Sequence, residues 1–282
     1  MDWGVMNDIP QSQTMRNSVQ GGALAGHRAR AAVCSLHMTT NYDPIAEHYR
    51  RAKQQPWRGH VEAFTLLSLI GDPTGLQVLD LACGEGFYTR LLRQRGAARV
   101  LGVDLSAKMI ELARQQEDEH GLGVQYHVGD ARAVPLEAEC DLVVAAYLLN
   151  YAHDRSELLE MYEAIARYLK PGGRFVTVNT NPGLDFSAAP SYRCYGFETA
   201  LSGPLREGAP LTWTFHLPDG AFSLENYCLN TDVHETAMRA AGLRDIRWHE
   251  PRVSPDGRSA MPPDAWDVLL AHPPITFLEC RR

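Results

Sequence analysis

The segment Val78-Leu-Asp-Leu-Ala-Cys-Gly-Glu-Gly-Phe-Tyr88 passes from a compact apolar run straight into a glycine turn. Gln77–Ala82 has the length and composition of a buried parallel strand, and Phe87–Arg95 continues as a helix that Gly96 ends. Glycine is needed where a chain reverses sharply and a ligand presses against the backbone, because a Cβ would obstruct both. Gly84 and Gly86 occupy that place here, with Asp80 inside the strand that leads to them.

The same alternation extends on both sides. Downstream lie a strand at Arg99–Val103, a helix at Ala107–Glu119 behind Ser106, and strands at Val124–Val128 and Asp141–Ala146. A helix at Glu157–Leu169, stopped by Lys170-Pro-Gly-Gly173, precedes a strand at Arg174–Asn179. Units of this kind predict an α/β fold, a doubly wound, Rossmann-like, mostly parallel sheet. Upstream, Tyr42–Lys53 (with Asn41 as N-cap) and His60–Ile70 read as helices. Residues 180–230 interrupt the alternation with an inserted hairpin, or lid, whose strands Leu211–Leu217 and Ala221–Asn230 flank Pro218-Asp219-Gly220. A helix at Asp232–Ala241 and strands at Leu243–Glu250 and Ile275–Cys280 complete a seven-stranded sheet.

The chain has 282 residues, 45% of them hydrophobic, which suits one large globular domain at 38–282. Residues 1–37, rich in Gln, Asn, Ser, Gly and Ala, read as a disordered extension without a secretory apolar core. The net charge of −7 opposes a nucleic-acid partner. No apolar run approaches the roughly 20 residues of a spanning helix, so no membrane partner is expected. Six scattered cysteines without a CxxC point to reduced thiols in the cytoplasm and to no metal. The expected assembly is a monomer or homodimer.

Three acids at successive strand ends carry the chemistry. Asp80 precedes the glycines; Asp104 ends the second strand, where an acid chelates ribose hydroxyls; Asp130 ends the third, against an adenine amino group. With Glu85 between the glycines and Thr89 in place of a third glycine, the loop disfavours a pyrophosphate. A cationic nucleoside bearing an amino-acid tail and no phosphate is S-adenosylmethionine.

These residues resemble the class I S-adenosylmethionine-dependent methyltransferases. The likeness rests on Asp80-Leu-Ala-Cys-Gly-Glu-Gly86, Gly102-Val-Asp104-Leu-Ser106, Gly129-Asp130-Ala131 and Leu169-Lys-Pro-Gly-Gly173. More narrowly, Tyr42-Asp-Pro-Ile-Ala-Glu-His-Tyr49, Ala146-Tyr-Leu-Leu-Asn-Tyr151 and Val178-Asn-Thr-Asn-Pro-Gly183 resemble the toxoflavin synthase group, which methylates ring nitrogens of an azapteridine. The resemblance implies that Asp80, Ala82, Cys83, Gly84 and Gly86 meet the methionine tail. It places Asp104 on the ribose, Leu105, Met109, Asp130 and Ala131 around the adenine, and Ala146 near the methyl. Tyr42 and Tyr49 would cap the cofactor. Tyr147, Asn150, Tyr151 and Asn179, with Tyr195 and Trp213 of the insert, would meet a small-molecule acceptor.

Methyl transfer to a ring nitrogen with a free lone pair needs no base. A hydroxyl acceptor, the alternative O-methyltransferase reading, or an N–H acceptor would benefit from one, and His153, Asp154 and His216 are the candidates. Asp154 also reads as a helix cap, and His216 and His234 as structural histidines. A nicotinamide dehydrogenase would want a third glycine at position 89, and the place after the fourth strand lacks the Pro-Pro-aromatic motif of nucleic-acid amine methyltransferases.

Overall fold

A computed structural model describes residues 42–136 and 138–282. The expected extension at 1–37 and the Asn41 cap lie outside the described residues. The central sheet comprises β1 (Gln77–Leu81), β2 (Arg99–Asp104), β3 (Gln125–Val128), β4 (Cys140–Ala146), β5 (Leu169–Thr180), β9 (Arg244–His249) and β10 (Ile275–Arg281). Its spatial order is β3-β2-β1-β4-β5-β10-β9, with β10 antiparallel to both its neighbours. The order reverses between β1 and β4, so the carboxyl ends of those strands open onto a crevice.

Alternation along β1 sorts its side chains. Leu79 and Leu81 join Val143, Ala145 and Phe175 under helix α5 (Arg155–Tyr168). Val78 faces the other way with Val100, Val144 and Val176, toward helices α2 (Phe64–Ile70) and α3 (Phe87–Gln94). Asp80, two residues after Val78, shares that second face and is 1% exposed. Helix α4 (Ala107–His120) starts where Ser106 Oγ accepts from Met109 N at 3.1 Å and ends at Gly121 with φ +60°. Asp154 caps α5, accepting from the amides of Ser156 at 2.8 Å and Glu157 at 3.0 Å.

The structure departs from the sequence reading in several places. The first expected helix is a 3-10 turn, Asp43–Ile45, followed by α1 (Ala46–Ala52), because Pro44 sits in that opening turn. The second is a π-helical stretch, Arg58–Ala63, running into α2. The expected hairpin gains a third strand, giving an antiparallel sheet of β6 (Phe197–Leu201), β7 (Ala209–Leu217) and β8 (Gly220–Cys228). Alternation along β7 points Leu211, Trp213 and Phe215 inward, where Trp213 and Phe215 pack with Phe197 and Phe222 at centroid spacings of 5.2–6.2 Å. Arg51 of α1 forks onto Asp219 of the β7–β8 turn with two 2.7 Å bonds. The remaining helices are α6 (Thr231–Ala240), α7 (Pro255–Ala260) and α8 (Asp267–Ala271). Among the described residues, no helix is long and apolar enough to cross a membrane.

Candidate active site

The turn after β1 holds three residues in the left-handed region: Ala82 (φ +54°), Gly84 (φ +57°) and Gly86 (φ +83°). The two glycines serve different needs. A Cβ on Gly84 would meet nothing within 4 Å, so its backbone faces open space. A Cβ on Gly86 would collide with the Tyr126 ring, 2.8 Å from Cζ. Cys83 is partly buried against Gly102, and burial lifts its thiol well above the ordinary range, so it fills space as a neutral thiol.

Asp80 Oδ2 accepts from Thr89 Oγ1 at 2.6 Å, while Oδ1 is buried and finds no partner within the protein. Burial raises this carboxyl to about 7; Thr89 and Lys53 act against the shift and Asp104 adds to it. Asp104 accepts from Gly84 N at 2.8 Å and Ser106 N at 2.9 Å, and burial raises its carboxyl too. Leu105 beside it is 62% exposed.

Asp130 follows β3, and Gly129 N donates to Asp104 O at 2.9 Å, tying the two strand ends together. Its carboxylate is held by Arg132, at 2.7 Å from Nη2 and 3.1 Å from Nε. Burial opposes ionisation there, but the Arg132 hydrogen bonds prevail and lower the carboxyl. Ala131 is partly buried alongside. Met109 is 1% exposed and packs in a cluster with Ala46, Leu112, Tyr42 and Tyr49. Glu85 is not the unpaired acid that the sequence suggests. Its carboxylate pairs with Arg90 Nη2 at 2.7 Å, so it adds no free negative charge to the loop.

Next to this rim lies an aromatic chamber lined by Tyr42, Tyr49, Arg58, Tyr147, Tyr151, Trp213, Phe215, Leu224 and Asn226. It encloses about 20 Å³, room for roughly one water. Tyr42 and Tyr49 meet edge to face at 5.3 Å, and the Tyr42 and Tyr151 hydroxyls touch across the chamber. Ala146 ends β4 and Tyr147 follows in the left-handed region (φ +65°), its amide donating to Val178 O at 2.9 Å.

Beneath the chamber runs a charge network that the sequence reading missed. Glu62, 1% exposed, accepts from Tyr88 Oη at 2.7 Å, Tyr147 Oη at 2.5 Å, Lys53 Nζ at 3.4 Å and Arg58 Nη1. Burial would raise this carboxyl, but Arg58 and Lys53 carry it down to about 2. The one signal available was the i, i+4 spacing of Arg58 and Glu62 at the head of a helical stretch that turns mostly apolar after Glu62.

A second, neighbouring pocket is lined in part by Asn150, Asn179, Thr180, Tyr227, Asn230 and His234. Both side-chain polar atoms of Asn150, Asn179 Oδ1 and Thr180 Oγ1 are buried there without partners in the protein. Burial depresses His234 to about 4, and the neutral ring bonds Tyr162 Oη at 2.9 Å.

The remaining candidates sit elsewhere. His153 lines neither chamber; its Nδ1 meets Glu157 Oε2 at 2.7 Å and its ring lies 4.0 Å from that of Tyr227. His216 pairs with Glu198 on the insert at 2.9 Å. Tyr195 also lines neither chamber, because it stacks on Trp266 at 6.0 Å and accepts from Leu269 N at 3.3 Å.

Residues 78–173 match a methyltransferase domain family. The chain is 28% identical over 220 residues to the N-demethylindolmycin N-methyltransferase of Streptomyces griseus, covering 75% of this chain and 90% of that relative. It is 37% identical over 144 residues to the ubiquinone/menaquinone biosynthesis C-methyltransferase of Desulfotalea psychrophila. That match covers 50% of this chain and 54% of the relative, so the chain aligns with about half of the quinone enzyme. The fold is similar to that of an S-adenosylmethionine dependent methyltransferase from Mesorhizobium loti, with a TM-score of 0.57, 22% identity, and coverage of 82% of this chain and 100% of that one.

Proposed function

We propose that this chain, an S-adenosylmethionine-dependent methyltransferase, methylates a ring nitrogen of a small, flat heteroaromatic molecule of azapteridine type. The observation that carries the proposal is the aromatic chamber of Tyr147, Tyr151, Trp213 and Phe215 beside the rim formed by Asp80 and Asp104. Its walls suit a planar ring, which enters once the touching Tyr42 and Tyr151 hydroxyls part, because the closed chamber holds only about one water. The likeness to an enzyme named as an N-methyltransferase supports nitrogen as the acceptor.

The rim fits the methyl donor. Asp80 Oδ1 is a buried, unpartnered acceptor suited to an ammonium, Gly84 leaves room for the tail, and the exposed Leu105 offers an apolar face to an adenine. In this reading Asp104 holds the ribose and Asp130 meets the adenine edge with a carboxylate shared with Arg132. Bound S-adenosylmethionine supplies a methyl group activated by its sulfonium. The protein orients the acceptor between Tyr147 and Trp213 and excludes water with Tyr42; the described residues that line the chamber include no histidine or carboxylate, and a nitrogen lone pair requires none. O-methylation would call for a base there, and His153 lies instead against Tyr227, which lines the second pocket.

Incubation with methyl-labelled donor and matched panels of planar N-heterocycles and phenols tests this. The expected product carries its label on a ring nitrogen, located by carbon–nitrogen correlation. Labelling of the phenols alone would refute the nitrogen assignment.

A further inference from the structure

The chamber carries more positive charge than its own residues neutralise. Lys53 and Arg58 share the single carboxylate of Glu62, and all three are at least nine-tenths buried. Tyr88 and Tyr147 bring neutral phenols to the same carboxylate. Asp80 also feels Lys53, but under the function proposed above it is committed to the donor's ammonium. One positive charge is left over beneath the acceptor, where a low dielectric makes it costly.

Two donors are orphaned beside that charge. Arg58 spends Nη1 on Glu62 and lies over the Trp57, Tyr147 and Phe215 rings at 4.3–5.2 Å, yet its Nε has no partner within the protein. Trp213 Nε1 is likewise buried and unpartnered. The other described tryptophans differ: Trp57, Trp248 and Trp266 donate to Gln55, Glu235 and the Gly257 carbonyl at 3.0–3.2 Å. Arg58 and Trp213 line the same chamber, where leaving a buried donor unmatched is unfavourable.

We infer that the acceptor is a planar anion, its negative group received by Arg58 Nε and Trp213 Nε1 while its ring lies among the chamber aromatics. This rests on the reading that the chamber takes the acceptor. The charge has two chemical sources, a carboxylate substituent or a ring nitrogen that has lost its proton.

Calorimetry on the full chain saturated with donor separates them. Quinoline-2-carboxylate is compared with quinoline-2-carboxamide, and lumazine with its N,N′-dimethyl derivative, which cannot ionise, at a pH where lumazine is an anion. A hydrogen bond to a charged group predicts that at least one anion binds roughly 10-fold or more tightly than its neutral partner. Preference in the first pair assigns a carboxylate, and in the second an ionised ring. Arg58→Lys, which keeps the charge but loses Nε, should weaken the preferred anion by about 10-fold and leave its neutral partner within about 2-fold. Trp213→Phe should cost the anion about 3-fold more than it costs the neutral partner. The unsubstituted enzyme decides the question even where a variant fails to fold. Equal affinities within both pairs, or no saturable binding of either anion, overturn the inference. Absence of donor binding in a preceding titration of the chain with S-adenosylmethionine alone would instead overturn the methyltransferase site beneath it.

Discussion

Replacing Glu62 with glutamine removes the one carboxylate that two buried cations share. The folded protein holds that carboxyl at about 2 against an ordinary 4.5, a difference equivalent to about 3 kcal/mol of stability at neutral pH. Because the folded value is depressed, the contribution is complete above the unfolded value and fades as pH falls from about 4.5 toward 2. Glutamine stands in for the protonated acid. The variant should therefore lose about 3 kcal/mol at pH 7 but only about 2 kcal/mol at pH 3.5. Urea unfolding followed by circular dichroism at both values measures this, with the slope m checking that the denatured state is unchanged. A loss under about 1 kcal/mol at pH 7, or one that does not shrink in acid, would show that Glu62 does not balance Arg58 and Lys53.

Asp80 should make donor affinity pH-dependent. Its carboxyl, raised to about 7, must be ionised to meet an ammonium, so calorimetric affinity should fall up to about 10-fold per unit below pH 7, and Asp80→Asn should abolish that slope. Asp104→Ala should weaken donor binding by about 10-fold or more, since two ribose hydroxyls lose their acceptor; unchanged affinity would remove Asp104 from the ribose. Gly86→Ala drives a Cβ into the Tyr126 ring at φ +83° and should cost about 1–3 kcal/mol in urea unfolding. Gly84→Ala has similar backbone strain but no clash in the free protein, so it should reduce donor affinity more than Gly86→Ala does.

The convergence of Asp80, Asp104 and Asp130 at one rim of the sheet was legible because its logic is local. Apolar runs predict strands, parallel register aligns their ends, and the residues just past those ends must converge: Asp80 lies level with Gly102 and Val144. Leu169 was harder to place. Read as the last turn of a helix, it instead opens β5, pairing with Cys140 before a register shift ahead of Leu142 and Arg174. The network was not legible, because Arg58 and Glu62 acquire meaning only when Tyr147 and Trp213, distant in sequence, fold over them. Strand β6 was not legible, since Phe197-Glu-Thr-Ala-Leu201 is short and is held by its pairing with β7 and by Phe197 packing against Trp57 and Tyr192. Tyr195 was placed in the site on its aromatic character alone, whereas its direction depends on Trp266, which no local pattern announces.

Tyr147 sits in a backbone region that suits glycine, fastened by its amide to Val178 and by its phenol to Glu62. A replacement there frees a hydrogen bond on Glu62, and a replacement of Glu62 leaves Arg58 uncompensated. Single-step drift at any of these positions therefore meets a penalty that its neighbours must relieve. Relatives with a new acceptor preference are expected to have exchanged Arg58, Glu62 and Tyr147 as a linked set, a covariation that an alignment of close homologues would display.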